Sequence, residues 1–345
     1  MNMLDDLKMI HERDAQDSLG VVSKQWEQLT NDFDVQFKET APITNVVLAG
    51  MGGSGWPALI LKSWPGVGVP FQVVNDYSIP EYVNENTLFI SSSYSGNTEE
   101  TISALHEAEA KNAQIVVLSA GGKLVEIAQQ EQYPLYLIPG GIQPRMSSFY
   151  FLAALVQILE PLALVKAGSL EEMRSASGWL HEQTSSWETT VPTNKNPAKQ
   201  LALELVGKSI VIYSGPKLFP AANMWKICMN ENAKNVAWTN QYPELNHNEF
   251  IGWSSHPVEK PYAVVEIRSE LEHPRVQKRF VVTERLLSGK RPAPEVVVPQ
   301  GDTILKQLLW SFNYGGYVSL YVALLNGLNP TPVDLVEDLK RELND

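Results

Sequence analysis

The sequence predicts an α/β protein built as two doubly wound parallel sheets flanked by helices. Three observations predict it. Short apolar runs (Asn45–Ala49, Phe71–Val74, Thr87–Ile90, Ile115–Leu118 and Leu135–Ile138) alternate with stretches of helical spacing, the pattern of strands buried on both faces. A second set with the same rhythm follows at Ser209–Tyr213, Tyr262–Ile267 and Glu295–Val298. Glycine- and serine-rich loops come directly after the first and third runs, where an α/β sheet places its ligands.

Taken in order, residues 1–40 form an N-terminal helical segment, with Leu4, Leu7, Met9 and Ile10, then Val21, Val22, Trp26 and Leu29, at helical spacing. Ala41-Pro42-Ile43-Thr44 breaks that pattern. The first α/β domain covers 41–165: the strand at 45–49, the loop Gly50-Met-Gly-Gly-Ser-Gly55 and a helix through Leu61, then the remaining strands, with a helix near 98–111 and another near 147–164. Residues 166–198 are polar, contain Pro192 and Pro197, and read as a helix followed by a linker. The second domain, 199–328, holds a helix near 217–233 and a long amphipathic one near 303–326. A C-terminal helix lies within 329–345. The halves share a rhythm but little residue identity, which is compatible with a duplicated fold.

The chain has 345 residues, enough for two ordinary domains, and its mean hydropathy of -0.16 describes a soluble globular protein. No apolar run approaches the roughly 20 residues of a membrane helix, and the charged start Met1-Asn-Met-Leu-Asp-Asp lacks a signal core. A single cysteine, Cys228, excludes an internal disulfide and fits a reducing cytoplasm. The net charge of -12 argues against nucleic acid as a partner, since duplex binding needs Lys and Arg to neutralise phosphates. A small phosphorylated ligand is compatible with it, because a local cradle of N–H and O–H groups outweighs a distant surface charge screened within about 8 Å.

The segment Ser91-Ser-Ser-Tyr-Ser-Gly-Asn-Thr-Glu-Glu-Thr101 is the most informative in the chain. A strand that empties into a hydroxyl-rich loop hinged at Gly96, then enters a helix, is suited to a phosphate monoester. The plainer alternative is an N-capped helix. One cap explains one hydroxyl, but not Ser91, Ser92, Ser93, Ser95 and Thr98 together. The loop at 50–55 matches the dinucleotide pattern G-x-G-x-x-G, and Asp76 lies where a ribose-binding acid belongs, so a nicotinamide or flavin enzyme is a rival. Two adjacent strand ends, one carrying Gly-Gly-Ser-Gly and the other Ser-Tyr-Ser-Gly-Asn-Thr, converge instead on one small dianion. That favours a phosphomonoester.

With these motifs in place the chain resembles the sugar isomerase (SIS) domain family. Gln143-Pro144-Arg145, Asn230-Glu231-Asn232-Ala-Lys234 and Pro243-Glu-Leu-Asn-His247-Asn-Glu249 further resemble the bifunctional phosphoglucose/phosphomannose isomerases, in order from about Asn45 to the C-terminus. The resemblance implies two SIS-type domains and the interconversion of glucose 6-phosphate with fructose 6-phosphate, together with mannose 6-phosphate. It implies Gly52, Gly53, Ser54, Ser93, Ser95 and Thr98 as the phosphate cradle. Such a reaction opens a sugar ring, takes a proton from C2, stabilises a cis-enediolate and returns the proton to C1.

Glu231 is the candidate base, a carboxylate at a helix end; otherwise it is a solvated helix residue. Arg145, just past a strand end with Pro144 fixing the loop, is by resemblance the group that steadies the enediolate. A surface salt bridge is the alternative. His247 is of the residue type that can give or take a proton at neutral pH; as a zinc ligand it would lack partners, because no nearby Cys or His pair has suitable spacing and His256 is isolated. The resemblance makes it the ring-opening histidine, contributed across the interface of a homodimer. Lys340 reads alone as a surface lysine, and by resemblance it reaches the ring oxygen, with Arg341 one position away as the competing register. The resemblance also implies Thr331, in Asn329-Pro-Thr-Pro332, near C2–C3 of the sugar. Trp225, Cys228 and Met229 read as core. No cofactor, metal or membrane is implied. Two further alternatives are a non-catalytic sugar-phosphate sensor and an enzyme acting on an amino-sugar or fructosamine phosphate.

Overall fold

The computed structural model describes residues 3–255 and 261–344; His256 lies outside the described residues. Among them, nine strands make two wholly parallel sheets. The first contains β1 (Asn45–Ala49), β2 (Phe71–Val74), β3 (Thr87–Ser93), β4 (Gln114–Ser119) and β5 (Leu135–Leu137), in the order β2-β1-β3-β4-β5. The second contains β6 (Ser209–Ser214), β7 (Ala237–Gln241), β8 (Tyr262–Ile267) and β9 (Pro294–Val297), in the order β7-β6-β8-β9. The second order repeats the first without its last strand. The two sheets fall in separate units, one spanning Lys24–His181 and the other combining residues up to Ser23 with those from Glu182 onward.

In the first unit β1, β3 and β4 are buried along their whole length, as strands covered by helices on both faces must be. Val47, Phe89, Ile115 and Val117 pack with Ala104, Leu105 and Ala108 of helix Glu99–Ala110. The register pairs Asn45 with Thr87 and Ala49 with Ser91, so the chain leaves β1 at Gly50 beside Ser92 and Ser93 of β3. Both loops therefore emerge at one carboxyl edge of the sheet. Strand β3 runs three residues beyond the expected Ile90, and the expected glycine loop is already helical over Gly52–Gly55.

The second unit is organised around helix Ile304–Leu325, buried over most of its 22 residues. Gly315 faces the Trp225 indole, where any Cβ would collide with the ring, and Trp225 Nε1 donates to Ser311 O at 2.6 Å. Glycine here lets helix Phe219–Glu231 lie close against the long helix. Trp225, Cys228 and Met229 are buried as expected. Strand β7 and helix Pro274–Leu286 were not anticipated. The chain ends in helix Asp334–Asn344. Among the described residues no helix is long and apolar enough to cross a membrane.

Candidate active site

The carboxyl edge of the first sheet gathers the hydroxyl groups. Ser93, at the end of β3, is 1% exposed, and its Oγ lies 2.7 Å from Thr98 Oγ1 and 3.5 Å from Ser95 Oγ. Thr98 occupies the N-cap position of helix Glu99–Ala110 yet makes no side-chain cap bond. Simple capping therefore does not account for this threonine. Gly96 has φ +68 and its N–H donates to Ser93 Oγ at 3.1 Å, so the loop turns tightly over the serine. The two loops are joined directly: Tyr94 N–H donates to Ser54 Oγ at 2.9 Å, and Ser92 Oγ donates to Ser54 O at 2.8 Å. Ser91 and Ser92 are fully buried within β3 and belong to the sheet interior, which removes them from the cluster read in the sequence.

Arg145 is brought to the same edge by Gly53. A Cβ at Gly53 would lie 2.9 Å from Arg145 N and 3.0 Å from both Arg145 Cα and Pro144 C. Glycine is needed there for close backbone approach to the short helix Pro144–Met146, not only for a turn. Arg145 is 2% exposed, so the surface salt bridge is not its setting. Its Nη1 donates to Gln143 Oε1 at 3.4 Å. The backbone around it is pinned: Ser148 Oγ donates to Arg145 O, while Gln25 and Gln28 both donate to Met146 O. Tyr94, unassigned in the sequence reading, holds the approach to this segment. Its hydroxyl accepts from Ile142 N at 3.1 Å and donates to Pro139 O at 3.4 Å. Burial pushes its phenol above the ordinary range, against the Ile142 N–H, and so keeps the donor proton in place.

In the second sheet β6 and β8 hold the places of β1 and β3, but the anion-binding groups there are already used. The Glu272 carboxylate, 4% exposed, accepts from Lys217 N at 2.8 Å and Leu218 N at 3.3 Å at the entry to helix Phe219–Glu231. A Cβ at Gly215 would strike the same carboxylate. The protein's own side chain satisfies those N–H groups, so the free cradle is that of the first unit.

Glu231 is the last residue of helix Phe219–Glu231 and is half-buried. Its neighbours explain the motif around it. Asn230 Oδ1 accepts from Ala237 N at 3.0 Å, tying the helix end to β7, and buried Asn232 donates to Ser319 Oγ at 2.9 Å. Thr331 belongs to the same unit; its Oγ1 lies 2.7 Å from Ser18 Oγ and its N–H donates to Asn329 Oδ1 at 3.0 Å. His247 ends the short helix Glu244–His247 and is exposed. Its segment is anchored on both sides. Tyr242 packs in the core and donates to the fully buried Glu266, which also accepts from Arg291 at 2.6 Å, while Glu249 accepts from Tyr213 and Asn240. None of these anchors carried a sequence signal beyond ordinary polarity. Lys340 is exposed on helix Asp334–Asn344, its Nζ donating to Glu337 at 2.7 Å, and Arg341 pairs with Asp338. Among the described residues no group of three His, Cys, Asp or Glu side chains is arranged to hold a metal ion.

The structure thus unites Gly52, Gly53, Ser54, Ser93, Ser95, Thr98, Pro144 and Arg145 at one sheet edge. Glu231, Thr331, His247 and Lys340 stand on separate elements of the other unit.

Comparison with known proteins gives the chain's family. Residues 194–343 match the family model described as the bacterial phospho-glucose isomerase C-terminal SIS domain. A bifunctional phosphoglucose/phosphomannose isomerase of Caldicellulosiruptor bescii is 35% identical over 308 residues, covering 87% of this chain and 90% of the relative. One of Aquifex aeolicus is 31% identical over 322 residues, covering 92% and 94%. In fold, the chain is similar to a glucose-6-phosphate isomerase like protein from Thermus thermophilus, with a TM-score of 0.69 at 19% identity over 97% of this chain and 99% of that one. With identities of 31–35% over most of both chains and a matching C-terminal family model, the chain belongs to the family of bifunctional phosphoglucose/phosphomannose isomerases.

Proposed function

We propose that this protein interconverts glucose 6-phosphate and fructose 6-phosphate, and mannose 6-phosphate with the same ketose, through a cis-enediolate. The observation that supports this best is the hydroxyl cradle of Ser54, Ser93, Ser95 and Thr98 packed through Gly53 against a buried arginine. An anion site alone fits a sensor. A buried arginine whose backbone lies against the cradle's Gly53 adds a group for charge that develops during reaction.

In the proposed mechanism the cradle and the N–H groups of Gly52 and Gly53 hold the phosphate, leaving C1 and C2 at the far end of the sugar. His247 and Lys340 move protons at the ring oxygen and the anomeric hydroxyl to open the ring. Glu231 takes the C2 proton and returns it to C1, and Arg145 holds the enediolate oxygens. Thr331 lies against C2–C3, where the two aldoses differ. The chemistry calls for no cofactor or metal. The working assembly is a homodimer in the cytoplasm, with His247 given to the neighbouring subunit's site.

A coupled assay with both aldose 6-phosphates tests the reading. Turnover of glucose and mannose 6-phosphates to fructose 6-phosphate, undiminished by EDTA, is expected. Tight binding without turnover would make the protein a sensor, and turnover of nitrogen-bearing sugar phosphates alone would move it to amino-sugar chemistry.

A further inference from the structure

Lys234 closes the motif Asn230-Glu-Asn-Ala-Lys234, and the mechanism gives it nothing to do. Its geometry is unusual in two independent ways. Its backbone has φ +50, the left-handed region that glycine adopts freely and a lysine adopts only at a cost. Its ammonium donates to three backbone carbonyls: Asn232 O at 3.3 Å, Asn329 O at 2.9 Å and Pro330 O at 2.9 Å. Three carbonyls match the three donors an ammonium carries. Backbone conformation alone would favour glycine at this position, so the side chain has to return more than the strain it brings.

What it joins is specific. One carbonyl belongs to the residue after Glu231, at the end of helix Phe219–Glu231. The other two belong to the loop that carries Thr331 and leads into helix Asp334–Asn344. The far side of that loop is held separately, with Asn329 Nδ2 donating to Gln16 Oε1 at 2.9 Å and the Thr331 hydroxyl on Ser18. Lys234 therefore bridges the helix end bearing the proposed base and the loop bearing the proposed C2–C3 contact.

We propose that Lys234 is a positioning residue that sets the spacing of Glu231 and Thr331, and through it the relative handling of the two C2 epimers. The inference rests on the isomerase reading above. Glucose and mannose 6-phosphates differ only at C2, so a shift between the group that takes the C2 proton and the group beside C2–C3 acts unequally on them. A loss of folded enzyme acts equally.

The test uses Lys234→Gly, which relieves the backbone, and Lys234→Met, which keeps the alkyl stem. Both are assayed for kcat and KM on each aldose 6-phosphate, with thermal melting alongside. In both variants the ratio of kcat/KM for the two epimers is expected to change about fivefold or more, mainly through kcat. Inhibition by inorganic phosphate should stay within about twofold, since the cradle is elsewhere. Lys234→Arg should restore the ratio in part. An unchanged epimer ratio in a folded variant, whether activity is intact or lowered alike for both sugars, overturns the inference. Glu231→Gln separates the two levels: if it is inactive while the Lys234 variants keep the wild-type ratio, only the positioning role fails. If it is fully active, the isomerase reading of Glu231 fails first.

Discussion

Gly53→Ala displaces Arg145 without removing a single functional group. The added Cβ would lie 2.9 Å from Arg145 N and 3.0 Å from Arg145 Cα and Pro144 C, all backbone atoms that cannot rotate away. Ordinary carbon contacts begin near 3.5 Å, so the short helix Pro144–Met146 must retreat by roughly 0.5 Å. Overpacking of this kind costs about 1–3 kcal/mol, of which the better helix propensity of alanine recovers about 1 kcal/mol. The expected net loss of stability is thus about 0–2 kcal/mol, small enough for a folded protein. The kinetic effect should be larger. Misplacing a group by about 1 Å costs about 100-fold in rate, so half that displacement implies a fall in kcat of about tenfold. Arg145→Met sets the ceiling, with about 100- to 1,000-fold expected for losing an oxyanion-stabilising donor. Urea denaturation and the coupled assay read both quantities. A folded Gly53→Ala enzyme with wild-type kcat, or one that changes KM alone, would refute the argument that Gly53 places Arg145 for the chemical step.

Three further outcomes are expected. Ser93→Ala should weaken inorganic phosphate inhibition and raise KM about tenfold, the worth of a hydrogen bond to a charged group, whereas Ser91→Ala, whose buried Oγ makes no hydrogen bond, should leave kinetics unchanged and stability equal or higher in urea melts. Tyr94→Phe removes the hydroxyl that bridges Pro139 and Ile142 and should lower kcat several-fold with phosphate inhibition intact, as the loop before Arg145 loosens. Glu272→Gln tests pH dependence. Burial is the main influence and raises the Glu272 carboxyl above its usual value, against the Lys217 and Leu218 N–H groups. Its contribution to stability is therefore full below the unfolded value of about 4.5 and is lost as pH rises through the higher folded value. Glutamine keeps the acceptor and removes that loss, so the variant should gain on the wild type in urea melts at pH 7 and not at pH 4. A variant markedly less stable at pH 7 would mean that the ionised carboxylate stabilises this helix entry.

The sheets were legible in the sequence wherever strands are buried on both faces, because such strands are almost uninterrupted apolar runs. Strand β7, Ala-Trp-Thr-Asn-Gln, lies at a sheet edge and is only partly buried, so nothing demanded an apolar run. Helix Pro274–Leu286 was hidden for a related reason: its buried face is Val276, Phe280 and Thr283, set among charged residues. The serine cluster was visible as chemistry but not as geometry. Only the register shows that Ser91 and Ser92 continue β3 while Ser93 ends it. Arginine carries no mark of burial in a sequence, which is why Arg145 taken alone reads first as a surface salt bridge. Lys234 has no mark of its own in the sequence, since neither a positive φ nor a carbonyl-bound ammonium leaves a trace in composition.

The central claim, that Glu231 carries a proton between C2 and C1 of a sugar held by the serine cradle, is tested most directly by following the C2 hydrogen of glucose 6-phosphate in deuterated water. The wild-type enzyme should exchange it with solvent during turnover, while Glu231→Gln, with its phosphate affinity unchanged, should lose exchange and isomerisation together. Exchange at near wild-type rate in Glu231→Gln would contradict the account.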